Sequence, residues 1–159
     1  MLDETRAAAE ATHARQHKIT VAMLIVSLAC FPAIAFIYAD AEAGVGVLSI
    51  LLILFVMLAF RVIFGVIGAF ILSATVVGGM GFLGEAVLKL TAIYAVTTVT
   101  GYALAPLGFF SRIINLILFV GLVQWLFDLE GGEAWIFAII TGLLGIVGAF
   151  IAVMLLGSL

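Results

Sequence analysis

The chain has 159 residues, of which 67% are hydrophobic and only 9% charged. A soluble domain carries about 25% charged residues, and no soluble fold of this length has enough interior to hide so much apolar side chain. The solvent for most of these residues is therefore lipid. The fold class expected is all-α, a polytopic transmembrane helical bundle forming one domain. The net charge of −3 and six scattered Lys and Arg residues provide no basic stripe, which excludes nucleic acid as a partner.

Residues 1–18 read as a cytoplasmic helical tail. Asp3, Glu4 and Glu10 set it apart from the short basic start of a secretory signal. His13 and His17 stand four apart, on one helical face, but no third ligand is near, so no metal site is expected. The transmembrane domain is read over 19–157, and a span needs about 20 apolar residues. The first, at 19–38, contains Pro32, which should kink it, and Cys30, which reads as an inert buried thiol.

From Gly44 to Gly84 the one charge is Arg61. As a single helix this block would be about 60 Å long, twice the hydrocarbon thickness of about 30 Å. A charge is costly at membrane depth, so the sequence predicts a tight turn around 59–63 with spans at 44–60 and 63–83. A fourth span follows at 86–104, and Ala105-Pro106-Leu107-Gly108 is a turn signal. The fifth is placed at 109–127 and the sixth at 134–157. Between them lies a wet loop carrying Asp128, Glu130 and Glu133, flanked by Trp125 and Trp135 as interfacial aromatics.

Six spans result, with four or five as the alternative if the Arg61 turn or the short second span fails. Both termini are then cytoplasmic. That topology puts Arg6, Arg15, Lys18, Arg61 and Arg112 inside and Lys89 outside, in line with the positive-inside rule. The acidic residues Asp40, Glu42, Asp128, Glu130 and Glu133 would share the outer face. The setting is multi-pass, in the cell (inner) membrane or one derived from it.

Glu85 and Lys89 have the order of a favourable i, i+4 ion pair. They read as a self-neutralising boundary pair, or alternatively as guards of a pathway. Thr91, Tyr94, Thr98 and Tyr102 share one stripe of the fourth span with Gly101 and Ala105. Hydroxyls in lipid want a partner, so this stripe reads as a helix–helix seam, with a substrate path as the alternative. Asn115 and Gln124 read as interhelical glue.

Glycine is the most specific signal. Residues 65–71 and 145–151 share the pattern glycine, two aliphatics, Gly-Ala-Phe-Ile. Gly65, Gly68, Ala69 and Ser73 in one span, and Thr141, Gly145, Gly148 and Ala149 in the other, are the candidate helix-packing residues, since small residues let backbones approach closely. An inverted internal repeat is the sharper reading, but the offset does not extend beyond this segment. Gly78-Gly79-Met80-Gly81 lacks the strand and the Lys-Ser or Lys-Thr of a phosphate-binding loop.

No catalytic pairing and no cofactor site is found, so an enzyme is not expected. The first expectation is a non-enzymatic membrane subunit that assembles by helix packing with itself or with larger membrane partners, as an anchoring component of a complex, envelope or secretion machine. The alternative is a small oligomeric channel or transporter with a path along the fourth span. A holin-like pore is the weaker third reading.

Overall fold

The computed structural model describes residues 2–39, 46–75 and 83–156 of the chain, and all regular structure among these residues is helical. Helix α1 (Leu2–Tyr38) carries the polar tail and the first apolar block without a break and runs through Pro32. Helix α2 spans Val47–Thr75, α3 Leu83–Ala103, α4 Phe109–Phe127 and α5 Gly131–Leu156. All five are long and apolar enough to cross a membrane, and the protein is a multi-pass membrane protein.

The turn expected at 59–63 does not form. Residues 47–75 are one helix with Arg61 midway along it, so the described residues hold five spanning helices and not six. The length argument treated the whole block as one helix, whereas the helix seen has 29 residues; residues 76–82 lie outside the described residues. A continuous helix also satisfies every backbone group around Arg61, which a turn inside lipid would leave bare. The cost of the charge is met instead by its surroundings, described below.

The break between α3 and α4 falls where the sequence predicts it. Pro106 has no N–H to continue the helix, and Ala105–Leu107 form a short 3₁₀ turn. Gly108 follows at φ 56°, a left-handed conformation that glycine adopts without a side-chain clash. Between α4 and α5 the connection is tight. Asp128 closes α4 in the left-handed region, its N–H donating to the Gln124 carbonyl. The Glu130 N–H donates to the Glu133 carboxylate at 3.2 Å, satisfying a donor at the start of α5.

Neighbouring helices alternate in direction. Gly68 of α2 meets Thr141 of α5 while Gly148 meets Phe64, so these two run antiparallel and form the most extensive helix pair. Tyr38 meets Tyr102 at the ends of α1 and α3, and His13 and His17 lie within electrostatic reach of Glu85 at their starts. Helices α1, α3 and α5 therefore run parallel, so α1 begins and α5 ends at opposite ends of the bundle. A sixth span would be needed to return the chain to the side where it began.

One more expectation changes with the span count. Lys89 lies 5.6 Å from the Phe127 ring centroid, so the 128–133 turn sits at the end of the bundle where α1 and α3 begin. That is opposite to the end where α1 finishes at Tyr38. Asp40 and Glu42 themselves lie outside the described residues, as do Gly78 to Gly81.

The core is made by Phe31 of α1, Leu54 and Leu58 of α2, Leu90 and Ile93 of α3, Val123 and Leu126 of α4, and Phe137 of α5. Around it the outward faces stay apolar: Phe36, Leu48, Ile117 and Ile146 are all more than half exposed. In water such a surface would be an aggregation site. In a bilayer it is the lipid contact.

Candidate functional site

Several polar groups of the membrane-spanning part line one cleft. Two lobes meet at Arg61, Thr97 and Asn115. The first, of about 360 Å³, lies between α1, α2 and α3, with Tyr38, Leu58, Thr98, Gly101 and Tyr102 among its lining. The second, of about 510 Å³, lies between α3, α4 and α5 and is lined by Tyr94, Arg112, Leu116, Phe119, Thr141, Gly142 and Gly145 among others. A third space of about 580 Å³ at Gly101, Ala105, Gly108, Ser111, Arg112 and Asn115 continues them to the α3–α4 turn. These volumes lie in the range of small-molecule sites, about 300–1,000 Å³. The cleft therefore opens at the end of the bundle where α3 finishes. Toward the other end it is closed by Leu90, Ile93, Val123 and Phe137, which are fully buried and apolar.

Arg61 is its central charge. Its guanidinium donates to the Thr98 hydroxyl at 3.3 Å, and Thr98 in turn donates to the Tyr94 carbonyl at 2.7 Å. A guanidinium has five N–H donors, and Arg61, an exposed residue, lines both lobes. Arg112 lies one turn into α4 and lines the second lobe and the mouth. Among the described residues no carboxylate pairs with either arginine: the ion pair there joins Lys89 to Glu85 at 2.8 Å, at the far end of α3. Two cations held without a counter-charge in a segment of membrane-spanning length make an electropositive pocket.

Asn115 completes the polar lining. Its side-chain amide packs against Gly101, where a Cβ would stand 3.1 Å from Nδ2. Its Oδ1 is buried without a hydrogen-bond partner. A buried acceptor left unpaired costs about 1–3 kcal/mol, and the residue that carries it lines both lobes. At the mouth the Tyr38 hydroxyl donates to the Tyr102 carbonyl at 3.4 Å, and the two rings meet edge-on at 5.2 Å. That contact holds α1 against α3.

Of the possible pathway residues, the structure brings Tyr94, Thr98 and Tyr102 to the cleft and leaves Glu85, Lys89 and Thr91 away from it. The threonine hydroxyls need no partner from another helix. Thr91 donates to the Val87 carbonyl, Thr97 to Ile93, Thr100 to Val96 and Thr141 to Phe137, each at 2.7–2.9 Å. This back-bonding within one helix satisfies these hydroxyls, while on the stripe itself Tyr94 meets Gly65 of α2 and Phe119 of α4, and Thr98 accepts from Arg61. Arg61, Arg112, Asn115 and Thr97 stand outside the candidate residues read from sequence. The signal for them was two arginines in apolar blocks with no acid at helical spacing.

The glycine segments meet inside the chain. A Cβ on Gly65 would fall 2.6 Å from Cε2 of Tyr94 and 2.7 Å from its hydroxyl, and one on Gly68 would fall 2.8 Å from Thr141 Cγ2. Gly148 is filled by the ring of Phe64, and Ala69 is buried. Gly145, like Gly142, faces open space. The side chains of Ser73 and Ala149 lie outside the described residues.

His13 and His17 are exposed on α1. Among the described residues no group of three His, Cys, Asp or Glu side chains could hold a metal ion. Comparison of the chain with protein-family models, with curated proteins and with solved structures gives no match.

Proposed function

We propose that the protein binds anions in the cleft around Arg61 and Arg112 and serves as a small membrane transporter for them. The observation that carries this reading is the pair of arginines lining one cleft with no carboxylate of the described residues paired to them. Protein arginine stays protonated under all ordinary conditions. A cation that cannot neutralise itself, set within membrane-spanning helices, is stable only with water or an anion at its face. Tyr94, Thr97, Thr98 and Asn115 add polar groups around the same space. The alternative of a path along the helix at 86–104 is thus the one this geometry favours, with the path entering from the α3–α4 end.

The apolar plug at Leu90, Ile93 and Phe137 means that passage requires the helices to shift, as in alternating access, and not an open pore. Arg6, Arg15, Lys18 and Lys89 belong to the end where α1 begins, Arg112 belongs to the other, and Arg61 lies midway along α2. By the positive-inside rule the first end is cytoplasmic and the cleft opens outward, in the cell membrane or one derived from it. The assembling-subunit reading drew on glycine ladders free to meet another helix. Gly65, Gly68 and Gly148 already meet side chains of this chain, which favours the binding reading over it.

Thermal unfolding of the purified protein in mild detergent, titrated with potassium chloride, sulfate, phosphate and succinate, tests the proposal. A ligand that binds only the folded state raises the melting temperature in a saturable way. The parent should show such a rise with at least one anion, Arg61→Gln should lose it, and Glu85→Gln should keep it. Equal shifts in the parent and in Arg61→Gln would refute the site.

A further inference from the structure

The second lobe has two characters. One end presents Arg61 and Arg112, whereas its floor is Phe119, Ala138, Gly142 and Gly145, between Leu116 and Ile146. Gly142 and Gly145 have nothing within 4 Å of where a Cβ would stand, so a groove lies open along α5. Its rims, Leu116 at 47% and Ile146 at 68% exposure, face outward, so the groove opens sideways into the surrounding lipid. A small hydrated anion would match the arginine end and leave the apolar floor unused. A plain alkyl chain would match the floor and leave both arginines bare.

We infer that the anion is the head group of an acidic lipid drawn from the bilayer, with its acyl chain lying in the α4–α5 groove over Gly142 and Gly145. The inference rests on the anion site proposed above and adds the chemical class of its ligand. Charge complementarity selects the acidic head, since no carboxylate of the described residues competes for Arg61 or Arg112. The open glycine surface selects the chain, because every larger side chain at these two positions would fill the space that the chain takes. The lateral opening provides entry without passage through water.

The test is native mass spectrometry of the full chain released from detergent, after incubation with an equimolar mixture of phosphatidylglycerol and phosphatidylcholine of matched acyl chains. The parent should retain the acidic lipid over the neutral one by about tenfold, about 1.4 kcal/mol, and Arg61→Gln should erase that preference. Gly142→Leu and Gly145→Leu, each checked for a parental melting curve, should cut retention of the acidic lipid by about tenfold yet keep the thermal shift given by small anions. A measurement on the parent alone guards against variants that fail to fold: short-chain phosphatidylglycerol should bind more weakly than the long-chain lipid, and glycerol phosphate more weakly still. Binding of glycerol phosphate as tight as that of the lipid, or lipid retention unaffected in both glycine variants, overturns the inference and leaves the anion site standing. Dimers that disperse in the glycine variants without lipid retention in the parent would assign the groove to a second copy of the chain and overturn it too. Loss of every anion effect in the parent would remove both proposals together.

Discussion

Gly65 and Gly145 hold the same place in two matching sequence segments, and their surroundings predict opposite responses to one added methyl group. At Gly65 the new Cβ would overlap the Tyr94 ring, with Cε2 at 2.6 Å and the hydroxyl at 2.7 Å. Tyr94 is 7% exposed and packs against Phe119 with ring centroids 5.5 Å apart, so it has little room to retreat. Forcing extra volume into a packed interior costs about 1–3 kcal/mol. At Gly145 the methyl meets nothing within 4 Å. Replacing glycine by alanine inside a helix also lowers the backbone entropy cost, by about 0.8–1.0 kcal/mol. That gain is common to both variants and cancels in their difference. Gly65→Ala should therefore be less stable than Gly145→Ala by about 1–3 kcal/mol, with Gly145→Ala at or slightly above the parent. Reversible unfolding in mixed detergent micelles, or the half-denaturation temperature, reads the difference. A double-mutant cycle with Tyr94→Ala isolates the clash, since removing the ring should remove most of the penalty at position 65. Equal stability of the two alanine variants would refute the packing assigned here to α2 and α3.

Membrane topology separates five spans from six, and single cysteines in a Cys30→Ser background read it. Arg15→Cys and Glu130→Cys should react with a membrane-impermeant thiol reagent from one side and Leu107→Cys from the other; six spans predict the reverse grouping, with positions 15 and 107 together. Thr98→Val takes away the hydrogen-bond acceptor that Arg61 has at 3.3 Å, at a cost of about 0.6 kcal/mol and at most about 1.7; a larger loss on urea or detergent unfolding would mean that Thr98 does more than support the guanidinium. Glu85→Gln breaks the pair with Lys89, whose partner carboxylate is 38% exposed; a partly exposed i, i+4 pair is worth about 0.3–0.5 kcal/mol, so the melting curve should barely move, and a collapse of the fold would show the pair to be structural.

Where sequence and structure part, the reason is visible in particular residues. The break at Pro106 and Gly108 was legible because a missing N–H and a left-handed φ are local requirements. Arg61 was misread because a lone charge in an apolar block gives only its cost, which a turn at the membrane surface would relieve. Thr98 lies 37 residues away along the chain, and no local rule connects them. The acidic turn at 128–133 kept its place in the sequence and changed sides of the bundle, since a single span gained or lost inverts everything downstream of it.

The candidate site divides in the same way. Residue order alone is enough to place the chain in lipid, to make it helical and to end most of its helices, because hydrophobicity, backbone satisfaction and turn chemistry act over a few residues. It also marked the glycine-rich segments, yet not their uses, since a glycine carries no side chain to say what fills the space beside it. It takes the packing of the helices to show that Gly65 and Gly148 are filled by Tyr94 and Phe64 while Gly142 and Gly145 stay open. The same holds for the union of Arg61 on α2, Thr97 on α3 and Arg112 and Asn115 on α4 around one cleft. Charge complementarity is a property of distances between helices, and those are set by packing.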